Sequence, residues 1–447
     1  MDTRLAHRFA LLPVSVLALA VFVIVLLAQW PLARNPGYFS HDELQWAVFA
    51  AQGADIDWTA LQTFQYRPLT FDVWSWLSRT WFERPQAFHT VVVAGGAMNA
   101  ALLAILGRHL GMAPLAAVLG AIAFALGPSA MYVHGWVGTL GDLIWVGCAL
   151  LLGIVIAGRP HVALIAASSL LLTTVALLAK EAAVSIPALL AVGWLCLGRG
   201  RHWGMAAVLS ALPVVVYLAL RIGVLLFSAQ HGNAYDWSLL HVPQRWLEYQ
   251  LFAPNVAVFE AVNTLSGGFG SKRVLLSVLL WLATTALLMR IGWRWAAAFL
   301  LGGLAVLGPV LVLGAATNQY GYGFAALCAG VLAAAWGRAG DAGRCLIVIL
   351  ALLNLWHGAN VMRDMRRVGE VQAVFSPTLA AQLGTATDAT PLRLRIAPGA
   401  DEWIFGRLTH QIPSYRGVRI GNRVQLVEAD AAADYRVEAD GRLTSLR

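Results

Sequence analysis

The sequence predicts an all-α polytopic membrane protein of about eleven transmembrane helices, with a small β-rich domain at its C-terminus. Three observations predict it. Of 447 residues, 59% are hydrophobic and only 12% charged, and the mean hydropathy is +0.68, more than a chain with a water-facing surface carries. Apolar stretches of spanning length recur along most of the chain. Arginines fall singly at alternate connections between them, the charge bias that orients a membrane protein.

The apolar stretches lie at 9–30, 87–106, 113–133, 142–158, 162–179, 182–197, 204–227, 273–289, 295–314, 324–337 and 344–361. The first follows Arg4, His7 and Arg8 and is too long for a cleaved signal, so it reads as a retained span with a cytoplasmic N-terminus. Counted from there, the inside connections carry Arg108, Arg159, Arg199 with Arg201, Arg290 with Arg294, and Arg338 with Arg344. The short outside connections 134–141 and 317–323 carry neither Arg nor Lys, which places the C-terminus outside. One membrane domain, 1–362, then bears outer loops at 31–86 and 228–272, and a tail domain of α+β or β-rich character follows at 363–447.

Within the first loop, Pro68 to Phe82 is too short to span and has a tryptophan-rich face, as in a helix lying at the headgroups. The tail alternates at 391–396 and 423–427, and an Asp440-Gly441 turn follows YRVEA, which predicts strands. The formal charge of +8 and pI near 9.6 do not indicate nucleic acid, because the arginines form no stripe. Cys148, Cys196, Cys328 and Cys345 lie in or beside apolar runs without CxxC spacing and read as small packing residues. Only Lys180 and Lys272 stand against many arginines, a composition that fits a GC-rich bacterial source and its cell membrane.

Ionisable groups near lipid carry a cost, so each candidate is weighed. Asp42 and Glu43, in YFSHDELQW, can serve as a general base and a metal or substrate ligand, or simply sit at a helix start where acids favour the dipole. Asp142 opens a span, where N-capping is the alternative. Lys180 and Glu181 are adjacent where two apolar runs meet and can form a plain loop ion pair. His41, His89, His134, His231 and His241 show no zinc spacing. Oxygen ligands such as Asp42, Glu43 and Asp142 suit Mg²⁺ or Mn²⁺, although nothing in the spacing demands an ion.

Four local patterns together resemble the GT-C superfamily of membrane glycosyltransferases, in particular the branch of protein O-mannosyltransferases and bacterial polyprenyl-phosphate-sugar transferases. They are the acidic pair Asp42-Glu43, the tetrapeptide Tyr66-Arg67-Pro68-Leu69, the series Pro128, Trp136 and Asp142, and Lys180-Glu181 with Pro187. The resemblance covers roughly residues 1–360. His89 and Asn99 keep part of a His/Asn-rich pattern, with Val92 and Gly96 at its other positions; Leu140 and Gln319 stand where relatives carry Arg, while Tyr320 and Tyr322 keep a Tyr-x-Tyr.

The resemblance implies inverting transfer of a sugar from a polyprenyl-phosphate donor in the bilayer to an extracytoplasmic acceptor. Asp42 would be the base, with Glu43 or Asp142 positioning the acceptor or holding a divalent cation. Arg67, Lys180 and Arg245 would face the leaving phosphate. Tyr66, His89, Trp136, Glu181, Gln319, Tyr320 and Tyr322 would line the substrate site. Two other classes stay open: a transporter or flippase of lipid-linked glycans, which would place charges near mid-membrane, and a non-catalytic scaffold, which Leu140 and Gln319 favour.

Overall fold

The computed structural model describes residues 13–53, 55–227, 235–256, 259–385 and 391–446. The chain is mostly helical. In order come α1 (Val14–Ala28), α2 (Trp30–Ala33), α3 (His41–Ala51), α4 (Pro68–Trp81), α5 (Pro85–His109), α6 (Pro114–Ala125), α7 (Pro128–Gly135), α8 (Leu140–Ala157) and α9 (Val162–Ala179). There follow α10 (Ile186–Leu195), α11 (Arg201–Phe227), α12 (Val242–Asn255), α13 (Lys272–Ile291), α14 (Trp293–Leu311), α15 (Tyr322–Ala335), α16 (Asp341–Thr385) and α17 (Glu402–Thr409).

Among the described residues, seven helices are long and apolar enough to cross a membrane, and an eighth span results if α6 and α7 count as one. The sequence leads to eleven. The difference lies in interruptions that apolar character does not reveal and in helices that fall short of spanning length, α1 among them with 15 residues. α6 and α7 meet at a 59° bend, where Gly127 and Pro128 stop the helical ladder. Polar side chains take up the carbonyls it frees: Gln29 Nε2 donates to Ala125 O at 2.7 Å and Asn354 Nδ2 to Ala123 O at 2.7 Å. Between α9 and α10 the chain passes through an extended Lys180 and a 3₁₀ turn, Glu181–Ser185, and α15 has only 14 residues.

The buried polar groups beside the bend form one chain. His134 Nδ1 meets Gln29 Oε1 at 2.9 Å, its Nε2 meets the Tyr322 hydroxyl at 3.0 Å, and Asn99 Nδ2 donates to that hydroxyl at 3.1 Å and to Leu143 O at 2.9 Å.

α16 is one continuous helix of 45 residues, about 67 Å at 1.5 Å per residue, roughly twice a bilayer's hydrocarbon thickness. The expected boundary at 362/363 falls inside it, so the tail domain is built on the upper half of this helix. Close approach explains its glycines. A Cβ on Gly358 would overlap Leu126 O at the α6/α7 bend, and one on Gly369 would overlap the Asn35 side chain.

The tail has α+β character. Strands β1 (Leu392–Ile396), β2 (Ser414–Tyr415), β3 (Val418–Arg419), β4 (Val424–Val427), β5 (Tyr435–Val437) and β6 (Leu443–Ser445) include the expected ones. The main sheet runs β4-β1-β5-β6, with β1 parallel to β4 and β5 and β6 antiparallel to β5. β5 and β6 turn at Gly441, whose φ of +91° suits glycine. α17 closes the sheet against α16 through Phe405 on Phe375, ring centres 5.2 Å apart.

Candidate functional site

The start of α3 is organised by a capping box. Ser40 Oγ accepts from the Asp42 amide at 3.3 Å, and Glu43 Oε2 accepts from the Ser40 amide at 2.6 Å. This geometry separates the two acids. Glu43 turns inward and is 1% exposed; burial pushes its carboxyl up to about 8, against the lowering effects of the Ser40 and Val137 amides, and among the described residues its Oε1 meets no partner within hydrogen-bond geometry. Asp42 turns outward, its side chain 31% exposed and 3.2 Å from His41 Nε2. The loop ahead of them is held from behind, because His89 Nε2 meets Gly37 O at 2.8 Å and Gln372 Oε1 accepts from the Tyr38 amide at 2.9 Å.

Over this acidic turn stands Arg407, from α17. Its guanidinium lies 4.5 Å from the centre of Phe39, 5.1 Å from Trp403 and 5.5 Å from Trp136, and Nη1 donates to Glu260 Oε1 at 2.9 Å. The Tyr132 hydroxyl donates to the same oxygen at 3.2 Å. His410 faces His41 edge to face at 5.2 Å, and Gln45 Nε2 donates to Gln411 O at 2.9 Å. Burial lowers the His41 pKa, opposed by Asp42 and helped by Arg407 and His410.

A second charged group sits where α4, α8 and the α9/α10 interruption meet. Arg67 Nε donates to both carboxylate oxygens of Glu181, at 2.9 and 3.1 Å, and its two terminal amino groups have no hydrogen-bond partner among the described residues. Burial would lower the Arg67 pKa, but Glu181 and Tyr320 carry it above the ordinary arginine value. Lys180 Nζ donates to Asp142 Oδ2, and Trp145 Nε1 donates to Asp142 Oδ1 at 3.2 Å. The Lys180 ammonium also lies 5.0 Å over the Tyr320 ring.

One strand-like bridge joins the two groups. Ala261 pairs with Thr317, the Val262 amide donates to Ala316 O at 2.9 Å and the Asn318 amide to Glu260 O at 2.8 Å. Glu260, on one side, carries Arg407; the turn after Asn318, on the other, carries Tyr320 against Lys180. Beneath that turn an apolar cavity of about 480 Å³ runs between α6, α12, α15 and α16, reaching Ser129, Tyr249 and Gly321 at one end and Pro114 and Trp336 at the other.

Expected and observed roles differ at several positions. Lys180 and Glu181 do not pair with each other. Asp142 is paired with Lys180 rather than standing as a free carboxylate, and among the described residues no three His, Cys, Asp or Glu side chains gather. His89 and Tyr322, expected at a substrate, are interior bracing groups. Tyr66 donates to Trp58 O at 2.7 Å and shapes the first loop. Trp136 faces Arg407, Gln319 Oε1 is without a partner among the described residues, and Arg245 donates to Glu248 at 2.7 Å and to Gly314 O. His231 lies outside the described residues.

Arg407, His410, Glu260 and Arg221 are not anticipated from sequence. Arg221 carries a signal, a lone charge inside the apolar run 204–227. It is fully buried and donates to the carbonyls of Leu61, Thr63 and Phe64 at 2.6, 2.9 and 2.8 Å, pinning the first loop to α11. Comparisons with family models, with curated proteins and with solved structures give no match.

Proposed function

We propose that this chain is an extracytoplasmic-facing glycosyltransferase of a bacterial cell membrane, with about eleven spans counting the interrupted ones. It would transfer a sugar from a polyprenyl-phosphate donor to a glycan, lipid or protein acceptor. The observation that carries this reading is a carboxylate and two cations with donors to spare, arranged on one face above an apolar cavity. Asp42 is accessible and held at a helix start. Arg67 keeps two free amino groups, and Lys180 has two further N–H bonds beyond the one to Asp142.

In this mechanism Asp42 removes the proton from the acceptor hydroxyl as its oxygen attacks the anomeric carbon. The bond from that carbon to the phosphate oxygen breaks, and polyprenyl phosphate leaves with the electron pair, inverting the centre. Arg67 and Lys180 face the charge that builds on the phosphate, and the isoprenoid chain remains in the apolar cavity or the surrounding lipid. Glu43 fixes the turn rather than reacting, and no step requires a metal.

A second reading, a scaffold without transfer activity, is favoured by one fact: Arg67 and Lys180 are already matched one for one by Glu181 and Asp142. The deciding experiment incubates membranes bearing the protein with a panel of labelled polyprenyl-phosphate sugars and extracts the products. Label transferred by the native chain and lost in Asp42→Asn supports the enzyme. Label moved across the bilayer unchanged indicates a flippase, and no turnover of any donor indicates the scaffold.

A further inference from the structure

At the membrane face opposite Asp42, the spans are joined by five turns, between α5 and α6, α8 and α9, α10 and α11, α13 and α14, and α15 and α16. In these turns and their flanks, Asp341 is the one acid, and it pairs with Arg344 at 3.5 Å with its side chain fully exposed. Three arginines converge here from three turns. A Cβ placed on Gly198 would stand 3.7 Å from Arg294 Nη1, so that guanidinium lies against the α10/α11 turn. Arg338 lies 5.0 Å over the ring of Trp295. Burial, and then the charge of Arg338, hold Arg199 below the ordinary arginine pKa. Arg199 Nε is buried and has no hydrogen-bond partner, and none of the three has an acidic partner among the described residues.

Directly within the bundle at this end is an apolar cavity of about 210 Å³, lined by Arg199 itself, Leu106, Met112, Trp203 and Trp295. Orientation in the membrane requires only that arginines occupy these turns. It does not require that they gather without a counter-charge at the mouth of an apolar cavity flanked by two tryptophans.

We propose that this is a binding site for an anionic phospholipid of the leaflet opposite the carboxylates, with its phosphate among Arg199, Arg294 and Arg338 and one acyl chain in the cavity between Trp203 and Trp295. Basic pockets between spanning helices recognise lipid phosphates in this way, because the phosphate relieves the repulsion among the cations while its chains stay in an apolar setting. The assignment is independent of sugar transfer, which lies at the other face.

The test uses the full chain, delipidated in neutral maltoside detergent, and radiolabelled dioleoyl phosphatidylglycerol. Saturable binding is expected, displaced by unlabelled phosphatidylglycerol but not by dioleoyl phosphatidylcholine or free glycerol phosphate. The double variant Arg199→Gln/Arg338→Gln should weaken binding about tenfold or more. Ala149→Phe, which fills the cavity from α8 and leaves every charge in place, should also weaken it, so the test stands even if the double variant does not fold. Equal competition by phosphatidylcholine, displacement by glycerol phosphate, or unchanged binding in folded variants would overturn the proposal.

Discussion

Lys180 closes on Asp142, 38 residues earlier in the chain, and leaves its sequence neighbour Glu181 to Arg67. The backbone at Lys180 is extended, with φ −160° and ψ 140°, and successive side chains of an extended segment point to opposite sides. Two adjacent residues of opposite charge therefore serve two different partners.

Removing one member of the Lys180–Asp142 pair strands the other in a site where the side chains are 6% and 3% exposed. Asp142→Ala should cost about 3–5 kcal/mol, and Asp142→Leu with Lys180→Met should recover much of it. Thermal unfolding in detergent, arranged as a double-mutant cycle, measures this; additive losses would mean the two groups do not interact.

Asp42→Asn keeps the shape of the helix start and removes the base. Transfer should fall by on the order of 100- to 10,000-fold while size-exclusion profile and unfolding temperature hold. Full turnover by this variant would remove Asp42 from the chemistry.

Glu43 gives a pH signature. Its folded pKa, about 8, exceeds the ordinary 4.5, so between these values the folded state binds more protons than the unfolded state and stability falls as pH rises. The loss is complete above about pH 8 and absent below about pH 4.5. Glu43→Gln retains a capping-box partner and should flatten this slope, gaining up to about 5 kcal/mol over the native chain at pH 9. Parallel pH–stability curves would show that Glu43 does not titrate in this window.

Gly358→Ala places a methyl group on Leu126 O at the α6/α7 bend. Because that contact is backbone, relief requires α16 to move, and the variant should lose monodispersity or several degrees of unfolding temperature. Gly384→Ala, with open space at its Cβ, is the matched control.

Arg407→Gln removes the cation enclosed by Phe39, Trp136 and Trp403 and its bond to Glu260. Amide exchange in Glu402–Thr409 should quicken about tenfold as the tail domain loosens from α3, with the sheet core unaffected. Unaltered exchange there would mean that packing on α16 alone holds α17.

Much of this architecture was legible in the residue order. The strands at 392–396 and 424–427 lie where alternation places them, and Asp42-Glu43 does open a helix. The Ser40-x-x-Glu43 pattern carried a further signal, a capping box, which already separates an inward from an outward acid. The bend at Gly127-Pro128 was less legible, since 113–133 is apolar throughout and nothing in its hydropathy requires a turn of 59°.

By itself, the sequence determined which stretches are apolar enough to form long helices and that Ser40-x-x-Glu43 starts one, since these follow from local composition and capping chemistry. Only the tertiary structure decided that Lys180 answers Asp142, that Arg221 holds the first loop and that Arg407 covers Phe39. Those pairings join residues from 38 to more than 300 positions apart, and hydropathy tells a helix to be buried without naming the helix beside it.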